Sequence, residues 1–130
     1  MILIDTSAWV EFLRDTGSSA CKRVDELLEA DVACCDAVRM EVLAGARDEN
    51  HLDQLRRLLA RAALLPTEPA RYDEAAQLYR QCRRRGVTPR KLIDCLIAAV
   101  AVHEELPLLH ADTDFDALSR HTALRVDRGA

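Results

Sequence analysis

The sequence predicts an α/β fold, a central parallel β-sheet flanked by α-helices, and three observations carry that expectation. Short runs that are apolar but for a terminal Asp5 or His110 recur along the chain, at residues 2–5, 32–35, 63–65 and 106–110. A run that is apolar throughout fits a strand buried on both faces, as a parallel sheet requires. Segments of helical periodicity separate these runs, and strands alternating with helices point to βαβ units. Two of the runs, at residues 2–5 and 32–35, meet an aspartate at their carboxyl ends, Asp5 and Asp36. With 130 residues, 49% of them apolar and only 4% aromatic, the whole chain from 1 to 130 is expected to be one domain with a core of Leu, Ala, Val and Ile.

In chain order, the first strand leads directly into a helical pattern with Trp9, Val10, Phe12 and Leu13 apolar, which Asp15-Thr16-Gly17-Ser18 breaks. A second helix is expected from about Ser19 to Ala30, burying Cys21, Val24, Leu27 and Leu28. After the strand at 32–35, helical spacing returns from Ala37 to Ala46, with Gly45 near its end. Asp48 can cap the next helix, whose stripe is Leu52, Leu55, Leu58, Leu59 and Ala62. Pro66 closes the third strand. A helix from about Pro69 to Arg85 is expected to turn Tyr72, Ala75, Ala76, Leu78, Tyr79 and Cys82 inward and to stop at Gly86. Thr88-Pro89 reads as the start of another helix, threonine as N-cap and proline at the first position, running to about Glu105. A fourth strand over 106–110 follows, then a short helix from about Thr113 to His121 and an edge strand at 124–126.

Charge and cysteine usage narrow the function classes. The formal net charge of −4 argues against nucleic-acid binding by bulk charge, although a local basic patch can coexist with it. The five cysteines form no C-x-x-C pair and read as small buried hydrophobes in a reducing compartment. The leading apolar run is too short for a signal peptide, and no apolar stretch reaches membrane-spanning length, so a soluble cytoplasmic protein is expected.

The acids stand where acids are costly. In open α/β sheets ligands bind outside the carboxyl ends of the strands, and Asp5 sits at such an end. Asp5 alone would serve as a helix N-cap. Glu41 shares or borders a helical face with Val38, Val42 and Gly45. Asp94 is the one polar residue from Leu92 to Val102. A lone buried carboxylate needs a partner, a proton or a metal. An ion pair of Asp94 with Arg90 or Lys91, or of Glu41 with Arg39 or Arg47, would be the plain structural alternative. Asp112 and Asp114 follow the fourth strand in a turn, where one of the two is expected to cap the next helix and leave the other at the sheet edge. Gathered together, these carboxylates would repel one another strongly without cations. An all-oxygen set selects Mg²⁺ or Mn²⁺ rather than Zn²⁺. The four histidines show no zinc-like spacing with the cysteines, and His110 is expected to be packed or partly exposed rather than a ligand.

Four motifs together resemble a known family: Ile4-Asp5-Thr6-Ser7-Ala8-Trp9, Met40-Glu41-Val42-Leu43-Ala44-Gly45, the helix from Leu92 to Ala99 around Asp94, and His110-Ala111-Asp112-Thr113-Asp114-Phe115. In that order and spacing they look like a PIN-domain ribonuclease, most closely the VapC-type toxins of bacterial VapBC toxin–antitoxin pairs. The resemblance implies a PIN-like fold and a metal-dependent endonuclease acting on RNA. It implies catalytic carboxylates at Asp5, Glu41, Asp94 and Asp112, Asp114 as an additional metal ligand, and a supporting hydrogen bond from Thr6. It also implies Mg²⁺ as the cofactor with Mn²⁺ able to substitute, a homodimer, and a VapB-type antitoxin whose tail occupies the groove. An RNA would have to meet a local basic patch, which Arg80, Arg83, Arg84, Arg85, Arg90 and Lys91 supply just before the Asp94 helix. The same cations would also complement a helix terminus.

Rival functions fit less well. A phosphatase of the haloacid dehalogenase type needs a second aspartate two residues after the first, and Ser7 stands there. A receiver domain needs an adjacent acidic pair at the first strand end. A catalytically inactive module that grips a basic partner segment in an acidic groove is the alternative, and it would tolerate removal of metal.

Overall fold

The computed structural model describes residues 1–128. Its elements in chain order are β1 (Ile2–Ile4), α1 (Thr6–Leu13), α2 (Ser19–Leu27), β2 (Val32–Cys35), α3 (Asp36–Ala44), α4 (Glu49–Leu59), β3 (Ala63–Leu65), α5 (Pro69–Arg84), α6 (Leu92–His103), β4 (Leu108–Leu109) and α7 (Asp114–His121). The four strands form one parallel sheet in the order β3-β2-β1-β4. The chain therefore steps outward from β1 through β2 to β3, then returns across to lay β4 on the other side of β1. The direction of winding reverses between β1 and β4, and the crevice beyond their carboxyl ends is where such sheets bind ligands.

Register brings the predicted acids to that crevice. Leu3 pairs with Leu108 and Ile4 with Leu109. The Asp5 amide then donates to the Leu109 carbonyl at 2.9 Å, so the ladder fixes the backbone of Asp5 itself. The core is built as the runs of β1, β2 and β4 imply: Leu3, Ile4, Ala33, Cys34, Cys35 and Leu108 are essentially inaccessible, together with Trp9 and Phe115, whereas the edge strand β3 is not buried on both faces and leaves Leu64 53% exposed. The Trp9 ring meets Phe12 edge-on, with centroids 6.5 Å apart. Helix α6 is buried from Asp94 through Ala101, which is why its sequence is apolar on nearly every face. It packs against α5, and α1 packs against α2.

The predicted stops and caps hold in most places. Ser18 accepts from the Cys21 amide at 3.1 Å, and Asp48 from the His51 amide at 2.7 Å. Gly86, at φ +81°, ends α5: the Val87 amide donates to the Cys82 carbonyl and the Gly86 amide to the Arg83 carbonyl, both at 3.0 Å. This pair of bonds is a Schellman closure, which glycine enters without steric cost. All five cysteines are buried free thiols, and burial pushes Cys34 and Cys95 up to about 12, so they act as inert apolar groups.

Three expectations are corrected. Thr88-Pro89 does not open a helix. Pro89 is buried within the extended connection, and α6 begins only at Leu92 with Lys91 as its N-cap at φ −130°. In α5 the inward row is Arg71, Ala75, Leu78 and Cys82, so Tyr72 is 58% exposed and Ala76 also faces out. Arg71 can take the inner position because Glu74 pairs with it, Nε to Oε2 at 2.8 Å. The fourth strand shrinks to Leu108–Leu109, and residues 124–126 contribute only a parallel bridge from Val126 to Leu108.

Candidate metal centre

Three carboxylates converge beyond β1 and β4. One oxygen each from Asp94, Asp112 and Asp114 can be chosen so that all three lie within 4.8 Å of one another. Each arrives from a different constraint. Asp94 stands in the first turn of α6, where the helix must enter the core to bury Ile97, Ala98 and Ala101. Asp112 sits in the turn after β4, and Asp114 is the first residue of α7. The Asp112 Oδ1 accepts from the Asp114 amide at 2.9 Å, so Asp112 takes the turn role and the Asp114 carboxylate stays clear of it.

Asp5 lies beside this group and is 3% exposed. It is held through one oxygen only. Oδ2 accepts from the Ser7 amide at 2.9 Å and from the Ser7 hydroxyl at 2.5 Å, while Oδ1 is buried and makes no hydrogen bond among the described residues. The Asp94 Oδ2 is likewise buried without a partner. Burial raises both carboxyls above the usual carboxylate range. Asp94 rises to about 7, its charge opposed first by desolvation and next by Asp5. Asp5 is raised by desolvation against the lowering effect of its Ser7 bonds, with Glu41 adding repulsion.

Glu41 reaches the other side of Asp5 from the middle of α3. Its Oε1 accepts from the Thr6 hydroxyl at 2.6 Å, which bridges α1 and α3. The bond to Thr6, rather than an ion pair with Arg39 or Arg47, is what orients it. The predicted carboxylates thus form two adjoining sets. Asp94, Asp112 and Asp114 make one, Asp5 with Glu41 the other, and Asp5 is the electrostatic link between them. The alternative of an Asp94 ion pair is not what the structure shows, because the neighbouring cations reach other acids: Arg90 Nε lies 3.1 Å from Asp114 Oδ1, and Lys91 Nζ 3.8 Å from Asp112 Oδ2.

The remaining basic residues stand apart. Arg83 and Arg84 line a shallow depression with Arg80 on the outer face of α5, and the Arg83 guanidinium lies 5.7 Å over the Tyr79 ring. Arg85 is the exposed C-cap of the same helix. His110 is half-buried. Its Nδ1 accepts from the Asp112 amide at 3.2 Å and its ring packs on Phe115. Burial lowers its basicity against the opposing effect of Asp116, 3.6 Å from Nε2.

One contributor escapes the sequence reading. The Ser7 hydroxyl, besides holding Asp5, accepts from the Ala111 amide at 2.9 Å. It pins the end of β1 to the loop that carries Asp112. The signal was present as Asp-x-Ser at a helix start, a local side-chain-to-backbone pattern, but its second partner is more than a hundred residues away.

The chemistry of this donor set fits a hard divalent cation. It is all oxygen, it converges, and two of its buried oxygens lack any other partner. Comparison with known proteins agrees. The PIN domain family model matches residues 2–121. The chain is 45% identical over 129 residues to the VapC ribonuclease Mb1587 of Mycobacterium bovis and, equally, to ribonuclease VapC11 of Mycobacterium tuberculosis, covering 96% of each partner in both cases. Its fold is similar to the solved VapBC2 of Rickettsia felis bound to a promoter DNA fragment, with a TM-score of 0.79 at 19% identity and 98% of both chains covered.

Proposed function

The chain belongs to the PIN-domain family and is a VapC-type, metal-dependent endoribonuclease toxin, and from that premise we propose that Asp5, Glu41, Asp94, Asp112 and Asp114 carry the reaction, within one domain spanning the chain. The observation that carries the reading is the placement of Asp94: a carboxylate buried in an otherwise apolar helix, with an unpartnered oxygen, facing two further carboxylates.

In this reading Asp94, Asp112 and Asp114 would hold a Mg²⁺ ion, with Mn²⁺ able to substitute, and Asp5 beside them would be a further ligand. The bound cation supplies Lewis-acid polarisation of the scissile phosphate and a more acidic water. Every other part of the task falls to the chain. Ser7 holds the Asp5 carboxylate through Oδ2 and leaves Oδ1 without a hydrogen bond among the described residues. Thr6 fixes Glu41 at the rim, where its carboxylate either orients the attacking water or helps to hold a second cation. Water adds in line to phosphorus as the bond to the 3′-oxygen breaks, so the fragments carry a 5′-phosphate and a 3′-hydroxyl. Arg90 and Lys91 at the site, with Arg83, Arg84 and Arg85 on the approach, meet the RNA backbone.

A VapB-type antitoxin and a homodimer belong to the same proposal. The groove between α1, α3 and α4 supports the first: Val10, Leu13, Val42 and Leu55 line it together with Glu41 and with Arg14, Arg47 and His51. Such a groove suits a partner segment that is apolar along its length and basic where it meets the carboxylates. Sedimentation of the chain alone tests the dimer.

The test of the activity is cleavage of mixed cellular RNA by the purified chain with Mg²⁺ or Mn²⁺, with chelator, and beside Asp94→Asn. Discrete fragments that need the cation and vanish in the folded variant support the proposal. An active Asp94→Asn protein would remove its core and leave the partner-gripping module as the better account.

A further inference from the structure

Arg90 and Lys91 do something that a constitutive RNA-binding residue does not: their charges are already paired with acids of the cluster. Arg90 Nε lies 3.1 and 3.2 Å from the two oxygens of Asp114, and Lys91 Nζ is 3.8 Å from Asp112. We propose that these two residues are exchangeable internal counterions of the carboxylate cluster, displaced when a divalent cation takes Asp112 and Asp114 and thereby freed to grip the RNA phosphate. The inference rests on the metal-dependent ribonuclease reading and deepens it.

Charge balance supports the exchange. Together the two side chains bring two positive charges to the cluster, as one divalent cation does, so the exchange leaves the local charge unchanged. Both side chains are held loosely, at 71% and 59% exposure, and ion pairs at such exposure are weak. Arg23 shows the opposite arrangement. It is 20% exposed and fixed by Asp127 at 3.0 Å and by Glu26. The unpartnered Asp94 oxygen gives an incoming cation a ligand for which neither side chain competes. The Gly86 closure fixes where the connection leaves α5, and Lys91 is itself the N-cap of α6. The displaced side chains swing off the carboxylates but stay tethered beside them, within reach of an RNA phosphate, whose geometry a guanidinium fork matches.

The experiment begins with Mn²⁺ alone, titrated calorimetrically into the full chain without RNA. Arg90→Gln with Lys91→Gln is expected to bind Mn²⁺ up to about tenfold tighter than the wild type, the size set by releasing two exposed ion pairs. Arg83→Gln with Arg84→Gln, the same charge change away from the cluster, is expected to leave Mn²⁺ binding within about twofold. Next, a single-stranded RNA oligomer made non-cleavable by 2′-O-methylation is followed by fluorescence anisotropy. Mn²⁺ should tighten its binding to the wild type and lose that effect in the Arg90→Gln, Lys91→Gln variant. The salt dependence measured with Mn²⁺ should also fall by about 1.4 in logarithmic slope for the two lost phosphate contacts. Unchanged Mn²⁺ affinity in the Arg90→Gln, Lys91→Gln variant, or an equal gain in the Arg83→Gln, Arg84→Gln variant, overturns the exchange while the ribonuclease reading stands. A wild type that binds Mn²⁺ no better than Asp94→Asn overturns both.

Discussion

Replacing Asp94 by asparagine should stabilise the cation-free protein at neutral and alkaline pH, while abolishing its ability to be stabilised by Mg²⁺. The carboxyl is 5% exposed and its pKa is raised from 3.8 to about 7, chiefly by desolvation and then by Asp5. With the folded-state value above the unfolded one, the native state holds the proton more tightly. Stability from this group is therefore complete below pH 3.8 and is lost as pH rises through 7. Three pH units at 1.36 kcal/mol each place the loss at about 4 kcal/mol above pH 7. Asp5, raised for the same reason, adds in the same direction. Asparagine carries no charge and has no such slope. Urea denaturation in chelator should then show wild type and Asp94→Asn close together at pH 4 and the variant ahead by several kcal/mol at pH 8. With Mg²⁺ in large excess the order should move back toward the wild type, because only the wild type gains RT ln(1 + [L]/Kd). A variant less stable than wild type by the same margin at both pH values in chelator would refute the claim that Asp94 is a strained, cation-seeking carboxylate.

Other substitutions probe the supporting residues. Thr6→Val removes the 2.6 Å bond to Glu41. It should cost about 1 kcal/mol of stability or less but lower the cleavage rate about tenfold, read as kcat against KM on one RNA. Ser7→Ala removes the hydroxyl that joins Asp5 to the Ala111 amide. A loss of about 1–3 kcal/mol in urea unfolding is expected, with a weaker Mn²⁺ affinity by titration. Glu105→Gly should stabilise by about 0.5–1 kcal/mol in thermal unfolding, because Glu105 closes α6 at φ +56°, where only glycine is unstrained.

What the sequence revealed and what it hid have separate physical origins. Strand runs such as 2–5 and 32–35 were legible because burial on both faces forces continuous apolarity, and the same constraint exposed Asp94 as an acid inside an apolar helix. Thr88-Pro89 misled because N-cap preference is a local signal. Burial of Pro89 in the connection and the line on which α6 enters the core moved the true start to Leu92. Tyr72 misled for a related reason: the periodicity of α5 fits two adjacent rows, and an Arg71–Glu74 pair let the polar one turn inward. Ser7 and the partners of Arg90 and Lys91 were hidden for another reason. Each depends on contacts between segments that only the reversal of winding between β1 and β4 brings together.

That reversal also explains why the site can bear its charge. Asp5 and Asp112 leave the sheet from adjacent parallel strands that share a register, so neither can retreat from the crevice without breaking the Asp5-to-Leu109 hydrogen bond or the Ser7 bond to Ala111. Asp94 cannot retreat either, because its helix is anchored by Ile97, Ala98 and Val100 in the core. The repulsion among these acids is therefore held in place by apolar packing a turn or more away, and the relief open to the folded chain is a proton, a neighbouring cationic side chain or a metal. At neutral pH a proton serves Asp94 only in part, and Arg90 and Lys91 are held loosely. The fold thus maintains a standing demand for a divalent cation, which ties stability in chelator, metal affinity and cleavage to the same few oxygens.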